Sequence, residues 1–129
     1  MKLSSMIELP INKCSPKFPY SSGPREYQKI AYGNWVQNNY QGIFAMATGT
    51  GKTITSLNCV LEEYHSTGIY CILVLVPTRA LVDQWRNEAQ KFNYSNIHTT
   101  QEKDWFNILS NHFLNKCLGL RDNLIFIST

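Results

Sequence analysis

The sequence predicts a three-layer α/β fold built on a parallel sheet. Three observations carry that reading. Helical and strand patterns alternate along the 129 residues. The strand segments are nearly continuous apolar runs rather than alternating ones, as in sheets covered on both faces. A glycine-rich turn joins the first strand to the following helix, which is the arrangement of open α/β sheets.

The elements follow in order. Residues 1–22 read as an N-terminal extension, with Pro10, Pro16 and Pro19 giving it loop composition, and the domain proper runs over 23–129. Pro24 suits the first position of a helix, with Gly23 as its cap and Glu26 three residues after the cap. Ile30, Ala31, Trp35 and Val36 give this helix an apolar face to about Asn38. Residues 42–46 (Gly-Ile-Phe-Ala-Met) read as a short buried strand. A second helix spans 52–65, with Ile54, Leu57, Val60, Leu61 and Tyr64 at helical spacing and Gly68 to end it. Residues 70–76 read as a central parallel strand covered on both faces. Thr78 can cap a third helix carrying Leu81, Trp85, Ala89 and Phe92. A short strand is expected at 95–99. Residues 103–118 form an amphipathic helix through Trp105, Phe106, Leu109, Phe113 and Cys117, closed by Gly119. Residues 123–128 form a last strand. A crossover helix is expected to cover that strand, so the sheet reads as incomplete at the C-terminus.

Composition narrows the function classes. With 43% hydrophobic residues and a net charge of only +3, the chain is not of the disordered class. The longest apolar run, Cys71 to Val76, falls far short of the roughly 18 residues of a membrane span. The first residues lack a long apolar core of the secretory type, so a soluble cytoplasmic protein with no membrane partner is expected. A pI of about 8.7 permits a nucleic-acid partner without demanding one. Cys14, Cys59, Cys71 and Cys117 form no Cys-x-x-Cys pair, and His65, His98 and His112 show no metal spacing. Cys59, Cys71 and Cys117 fall in apolar segments and read as reduced core cysteines. His112 reads as a partly buried or solvated helix residue.

The segment from Ala45 to Thr53 (Ala-Met-Ala-Thr-Gly-Thr-Gly-Lys-Thr) carries the chemistry. It sits between a strand and a helix, as a phosphate-binding loop must. Glycines let successive backbone N–H groups turn inward around an anion, and the helix N-terminus adds partial positive charge. Thr48, Gly49, Thr50 and Gly51 are the expected cradle of a nucleoside triphosphate. Lys52 reaches the β- and γ-phosphates, and the Thr53 hydroxyl is a ligand for Mg²⁺. Met46 stands where the common pattern opens on glycine. It narrows the strand side and leaves the phosphate-facing loop intact.

The run from Ala47 to Thr53 resembles motif I of superfamily 2 helicases and translocases. Arg25-Glu26-Tyr27-Gln28, some twenty residues upstream, resembles the Arg-x-Tyr-Gln element with which that superfamily recognises adenine. Val76-Pro77-Thr78-Arg79-Ala80-Leu81-Val82-Asp83-Gln84-Trp85 resembles motif Ia, and Ile127-Ser128-Thr129 falls where motif Ib begins. The resemblance covers residues 23–129. It implies a RecA-like P-loop NTPase domain, here its N-terminal part. The motif Ia segment is more like the restriction-enzyme and DNA-repair branch than the DEAD-box RNA helicases, which favours DNA over RNA.

Each element also has a chemical reading. The Gln28 amide can pair with both a donor and an acceptor on a base edge, and Arg25 can stack on the base or hold a phosphate. Tyr27 is expected in the core, and Phe18 and Tyr20 in loop packing more than on an adenine ring. Thr78 and Arg79 follow a parallel strand at its C-terminal end, where open α/β sheets bind ligands, and can hold a nucleic-acid phosphate.

The acidic motif II of such motors is missing. None of the nine acidic residues follows an apolar strand as that motif requires, and Asp122 precedes its strand. Hydrolysis therefore needs the rest of this RecA-like domain and a second one as partners. The implied function is the ATP-binding part of an ATP-dependent DNA helicase or translocase, using ATP and Mg²⁺. The alternative is a non-catalytic module that binds nucleotide or a protein partner.

Overall fold

The computed structural model describes residues 15–47 and 51–129. Its element order is α1 (Glu26–Gln37), α2 (Lys52–Thr67), β1 (Cys71–Leu75), α3 (Arg79–Lys91), β2 (Ile97–Thr99), α4 (Trp105–Cys117) and β3 (Leu124–Ser128). The three strands form one parallel sheet in the order β1-β3-β2. Ile72 and Val74 of β1 stand opposite Ile125 and Ile127 of β3, and Ile97 and Thr99 of β2 complete that row.

This row faces α2 and α3. Leu57 and Leu61 of α2 and Val82 and Ala89 of α3 join Ile125, Ile127, Phe92 and Tyr94 in the core. The Tyr94 hydroxyl donates to the Leu57 carbonyl at 2.7 Å, and its ring stacks on Phe92. The opposite face of β3 is covered by α4, whose Trp105 ring meets Phe126. Leu124 to Ile127 are thus buried on both sides, as a central parallel strand requires.

Helix ends follow the sequence, with one shift. Gly68 takes φ +79° after α2, and the Thr78 hydroxyl accepts the Leu81 N–H at 3.3 Å. The cap of α1 is Arg25 rather than Gly23. Gly23 instead closes a turn, its N–H on the Tyr20 carbonyl, and Gln28 reaches back to the Arg25 N–H at 2.9 Å.

Three packing expectations are corrected. Residues 42–46 form no strand; they run beside α1 with Ile43 92% exposed. A strand needs a ladder partner, and none of the described strands pairs with this segment. β1 is not covered on both faces, since Leu73 is 64% and Leu75 69% exposed. Phe106, Phe113 and Cys117 of α4 are also exposed, because the helix turns Trp105 and His112 to the sheet. Cys71 is exposed as well, leaving Cys59 as the one buried cysteine among the described residues.

Candidate functional site

The P-loop turn meets α2 at Gly51. This residue is the N-cap of α2 with φ +84°, a left-handed conformation that glycine adopts without penalty. Its carbonyl accepts both the N–H (2.8 Å) and the hydroxyl (2.9 Å) of Thr55, which is fully buried. That double anchor fixes the first turn of α2. The first N–H groups of a helix have no acceptor within it, and here they belong to Lys52, Thr53 and Ile54. Lys52 is exposed and Thr53 half-buried. Thr48, Gly49 and Thr50, the expected phosphate cradle, lie outside the described residues.

The start of α1 is brought against this turn. A Cβ added to Gly51 would lie 3.7 Å from Gln28 Nε2 and 3.8 Å from the Tyr27 hydroxyl. Gln28 is 3% exposed, and its Oε1 accepts the Arg25 N–H. An amide oxygen has two lone pairs, so this capping bond leaves room for a second donor. Phe18, Tyr20, Arg25, Tyr27, Gln28 and Gly51 all line one cavity of about 360 Å³. That volume suits a small planar ligand. Phe18 serves both sides, since its ring also meets Phe92 edge-on at 5.4 Å. The preceding loop is tied down by the Lys17 N–H on the Phe92 carbonyl and the Asn93 amide on the Ser15 carbonyl.

Tyr27 corrects the sequence reading. It is 38% exposed and lines the cavity instead of entering the core. Its hydroxyl reaches the Gly51 turn beside Gln28, which keeps the ring at the cavity wall. Phe18 and Tyr20, expected in loop packing more than on a base, do both: they line the cavity, while Phe18 packs on Tyr20 and Phe92.

A second cleft opens at the C-terminal edge of the sheet. Arg79, Asp83, Thr100, Gln101 and Thr129 line a volume of about 550 Å³. Thr78 and Arg79 are both exposed here. Thr78 accepts a hydrogen bond as cap, so its hydroxyl proton remains a donor for an anion. Thr100 and Gln101 carry no sequence signal of their own, although residues just past β2 sit on the ligand-binding edge of an open sheet.

Asp122 precedes β3. Glu102 lies three residues past β2, but its carboxylate accepts the Thr99 N–H at 2.8 Å and meets His98 at 3.1 Å. It closes a turn and is not a free metal ligand. No three His, Cys, Asp or Glu side chains converge to hold a metal among the described residues. No helix among them is long and apolar enough to cross a membrane.

Comparison with known proteins bears on the family and the fold. Residues 21–122 match the family described as "Type III restriction enzyme, res subunit". An uncharacterized ATP-dependent helicase of Mycoplasma genitalium is 36% identical over 73 residues, covering 53% of this chain and 7% of that protein. The fold superposes on a nuclease-deletion mutant of the Type ISP restriction-modification enzyme LlaGI, solved with a DNA substrate mimic. The TM-score is 0.62 and the identity 25%, over 82% of this chain and 12% of LlaGI. The chain thus spans a small part of the length of either relative. Its α/β sheet is the RecA-like one of the restriction-enzyme branch of superfamily 2. With the family match extending over most of its length, the chain belongs to the family of the Type III restriction enzyme res subunit.

Proposed function

We propose that this chain is the ATP-binding and DNA-gripping part of an ATP-dependent DNA translocase or helicase. The observation that carries this reading is the apposition of Gln28 with Gly51, which sets a base-sized cavity against a P-loop turn. In this reading Gln28 pairs with the adenine edge and Arg25 flanks it. Thr48, Gly49, Thr50 and Gly51 hold the phosphates, with the first-turn N–H groups of α2 as donors. Lys52 neutralises the β- and γ-phosphates.

The residues fit a phosphate-bound Mg²⁺. Thr53, at the second position of α2, offers a hydroxyl of the kind P-loop proteins use for that ion. Mg²⁺ would supply charge neutralisation on the transferred phosphoryl group. Thr78 and Arg79 hold a DNA phosphate, which positions the strand without reading its sequence. LlaGI was solved with a DNA substrate mimic, and its likeness favours DNA over RNA as the partner.

Hydrolysis requires an acidic group to prepare water and an arginine to stabilise charge on the γ-phosphate. The rest of the motor is expected to bring both, in the remainder of this domain and in a second RecA-like domain. The 129-residue chain should bind ATP and turn it over poorly. Binding of a fluorescent ATP analogue with Mg²⁺ tests the first half, with Lys52→Ala expected to weaken it at least about tenfold. In the longer protein Lys52→Ala should abolish DNA-stimulated ATPase. Normal activity in that variant would sink the reading.

A further inference from the structure

At the opposite end of the sheet from Thr78 lies a cluster that the ATP reading does not use. Cys71 is the first residue of β1 and is exposed. Its Sγ lies 3.3 Å from His112 Nε2. The other ring nitrogen, Nδ1, lies 3.3 Å from Asp122 Oδ2. His112 is 4% exposed and comes from α4, while Asp122 stands just before β3.

The fold holds all three in place. The Tyr70 N–H donates to the Asn123 side chain at 3.0 Å, and the Leu124 N–H to the Tyr70 carbonyl, so the starts of β1 and β3 are latched together. The Asp122 carboxylate is also held on both oxygens, by the Asn115 amide at Oδ2 and the Asn96 amide at Oδ1. A carboxylate only accepts hydrogen bonds. It therefore selects the His112 tautomer with the proton on Nδ1 and leaves the Nε2 lone pair for the Cys71 S–H. This is the order of groups in an activated nucleophile: thiol, base, and an acid that orients the base. The three side chains form a line and do not converge on a point, and no metal-holding group of three exists among the described residues.

We propose that Cys71, His112 and Asp122 form an activated-thiol site that is modified by small electrophiles such as peroxides. In the peroxide reaction His112 Nε2 takes the Cys71 proton and the sulfur attacks one oxygen. The S–O bond forms as the O–O bond breaks, and the leaving hydroxide takes the proton from His112 and departs as water. Cys71 is oxidised to a sulfenic acid and the peroxide is reduced. With iodoacetamide the S–C bond forms as the C–I bond breaks, iodide leaves, and the proton held by His112 passes to solvent.

The chain carries its own controls. Cys117 is an exposed thiol on the same helix as His112, and Cys59 is 3% exposed. The test is the alkylation rate of each cysteine by iodoacetamide at neutral pH, read by peptide mass spectrometry on the full 129-residue chain. Cys71 should react at least about tenfold faster than Cys117, the lower end of what a positioned base supplies. Asp122→Asn and His112→Gln should each bring Cys71 down to the rate of Cys117 without changing Cys117. Slow labelling of Cys59 reports that a variant is folded. Should His112→Gln expose Cys59, Asp122→Asn, at a more open position, decides alone. Equal rates for Cys71 and Cys117 in the unmodified chain would overturn the proposal. So would a Cys71 that stays fast in a folded Asp122→Asn variant.

Discussion

Asn58 lies inside α2, 1% exposed, and neither atom of its amide has a hydrogen-bond partner among the described residues. It is flanked by buried Leu57, Cys59 and Leu61. An amide buried without a partner costs about 1–3 kcal/mol in proteins. Replacement by leucine removes both orphan groups, adds apolar surface and improves helix propensity by a few tenths of a kcal/mol. Against this stands the larger volume of leucine, since overpacking a core costs about 1–3 kcal/mol. Relief of the orphan amide and the cost of overpacking are of similar size, and the transfer of apolar surface tips the balance. Asn58→Leu should stabilise the chain by about 1 kcal/mol. In urea the midpoint should rise by roughly 0.5 M with an unchanged slope, at typical slopes of about 1–3 kcal/mol per M. The melting temperature should rise by roughly 3–4 °C for a chain of this size. A loss of 1 kcal/mol or more would refute the reasoning, because overpacking, or an enclosed water that pairs the amide, would then outweigh the relief of the orphan groups.

Further outcomes follow from single residues. Tyr94→Phe removes the hydroxyl bonded to Leu57 and should cost about 1 kcal/mol in urea unfolding, the usual net worth of such a bond. Gly51→Ala meets no atom closer than 3.7 Å, so its cost comes from φ alone; about 1 kcal/mol of stability should go, and ATP-analogue affinity with it. Gln28→Ala should weaken the ATP analogue more than a triphosphate without a base, and equal loss for both would refute the role given to its amide. Burial, reinforced by Glu62 and Glu63, pushes the Cys59 thiol from 9.0 up to about 11, and burial raises Tyr94 from 10.0. Both groups fold in the neutral form. For Cys59 that stability is complete below pH 9 and is lost as pH rises through the 9–11 window; for Tyr94 the loss begins only near pH 10. Under reducing conditions the urea midpoint should begin to fall near pH 9, and Cys59→Ala should delay the fall to above pH 10, where Tyr94 takes over.

Local signals place most elements correctly. The αL glycine at 68 and the Thr78 cap bound α2 and α3 because capping is decided within one turn of chain. The end of α1 is equally local, but its start depends on whether Gly23 caps or turns, and the Tyr20–Gly23 bond settles that. What the sequence hides is anything that depends on a neighbour. Residues 42–46 and 70–76 look alike in sequence, yet only 70–76 finds a ladder partner. The site divides the same way. Gln28 is marked by its position before the P-loop, whereas the Cys71–His112–Asp122 line joins residues 41 and 10 positions apart and has no sequence signature. Tyr27, Thr100 and Gln101 become legible only once the folded faces are known.

The topology also shows which edge of the sheet is open. α3 carries the chain from β1 past β3 to β2 over the face that holds Ile125 and Ile127, and α4 brings it back over the other face to β3. Both crossovers have one hand, as parallel sheets require. α2 lies on the same face as α3, packing Leu57 and Leu61 against that row. A parallel strand leading into α2 must then lie beyond the free edge of β1, away from β3. Leu73 and Leu75 stand exposed on a different surface, the face of β1 that α4 leaves uncovered. Gly51 is held without sheet pairing of residues 42–46. Its anchors are the Gly51–Thr55 bonds and the contact of Gly51 with Gln28 and Tyr27. The proposed nucleotide site thus rests on the junction of α1 and α2, and substitutions in that junction should affect ATP binding more than substitutions on the open face of β1.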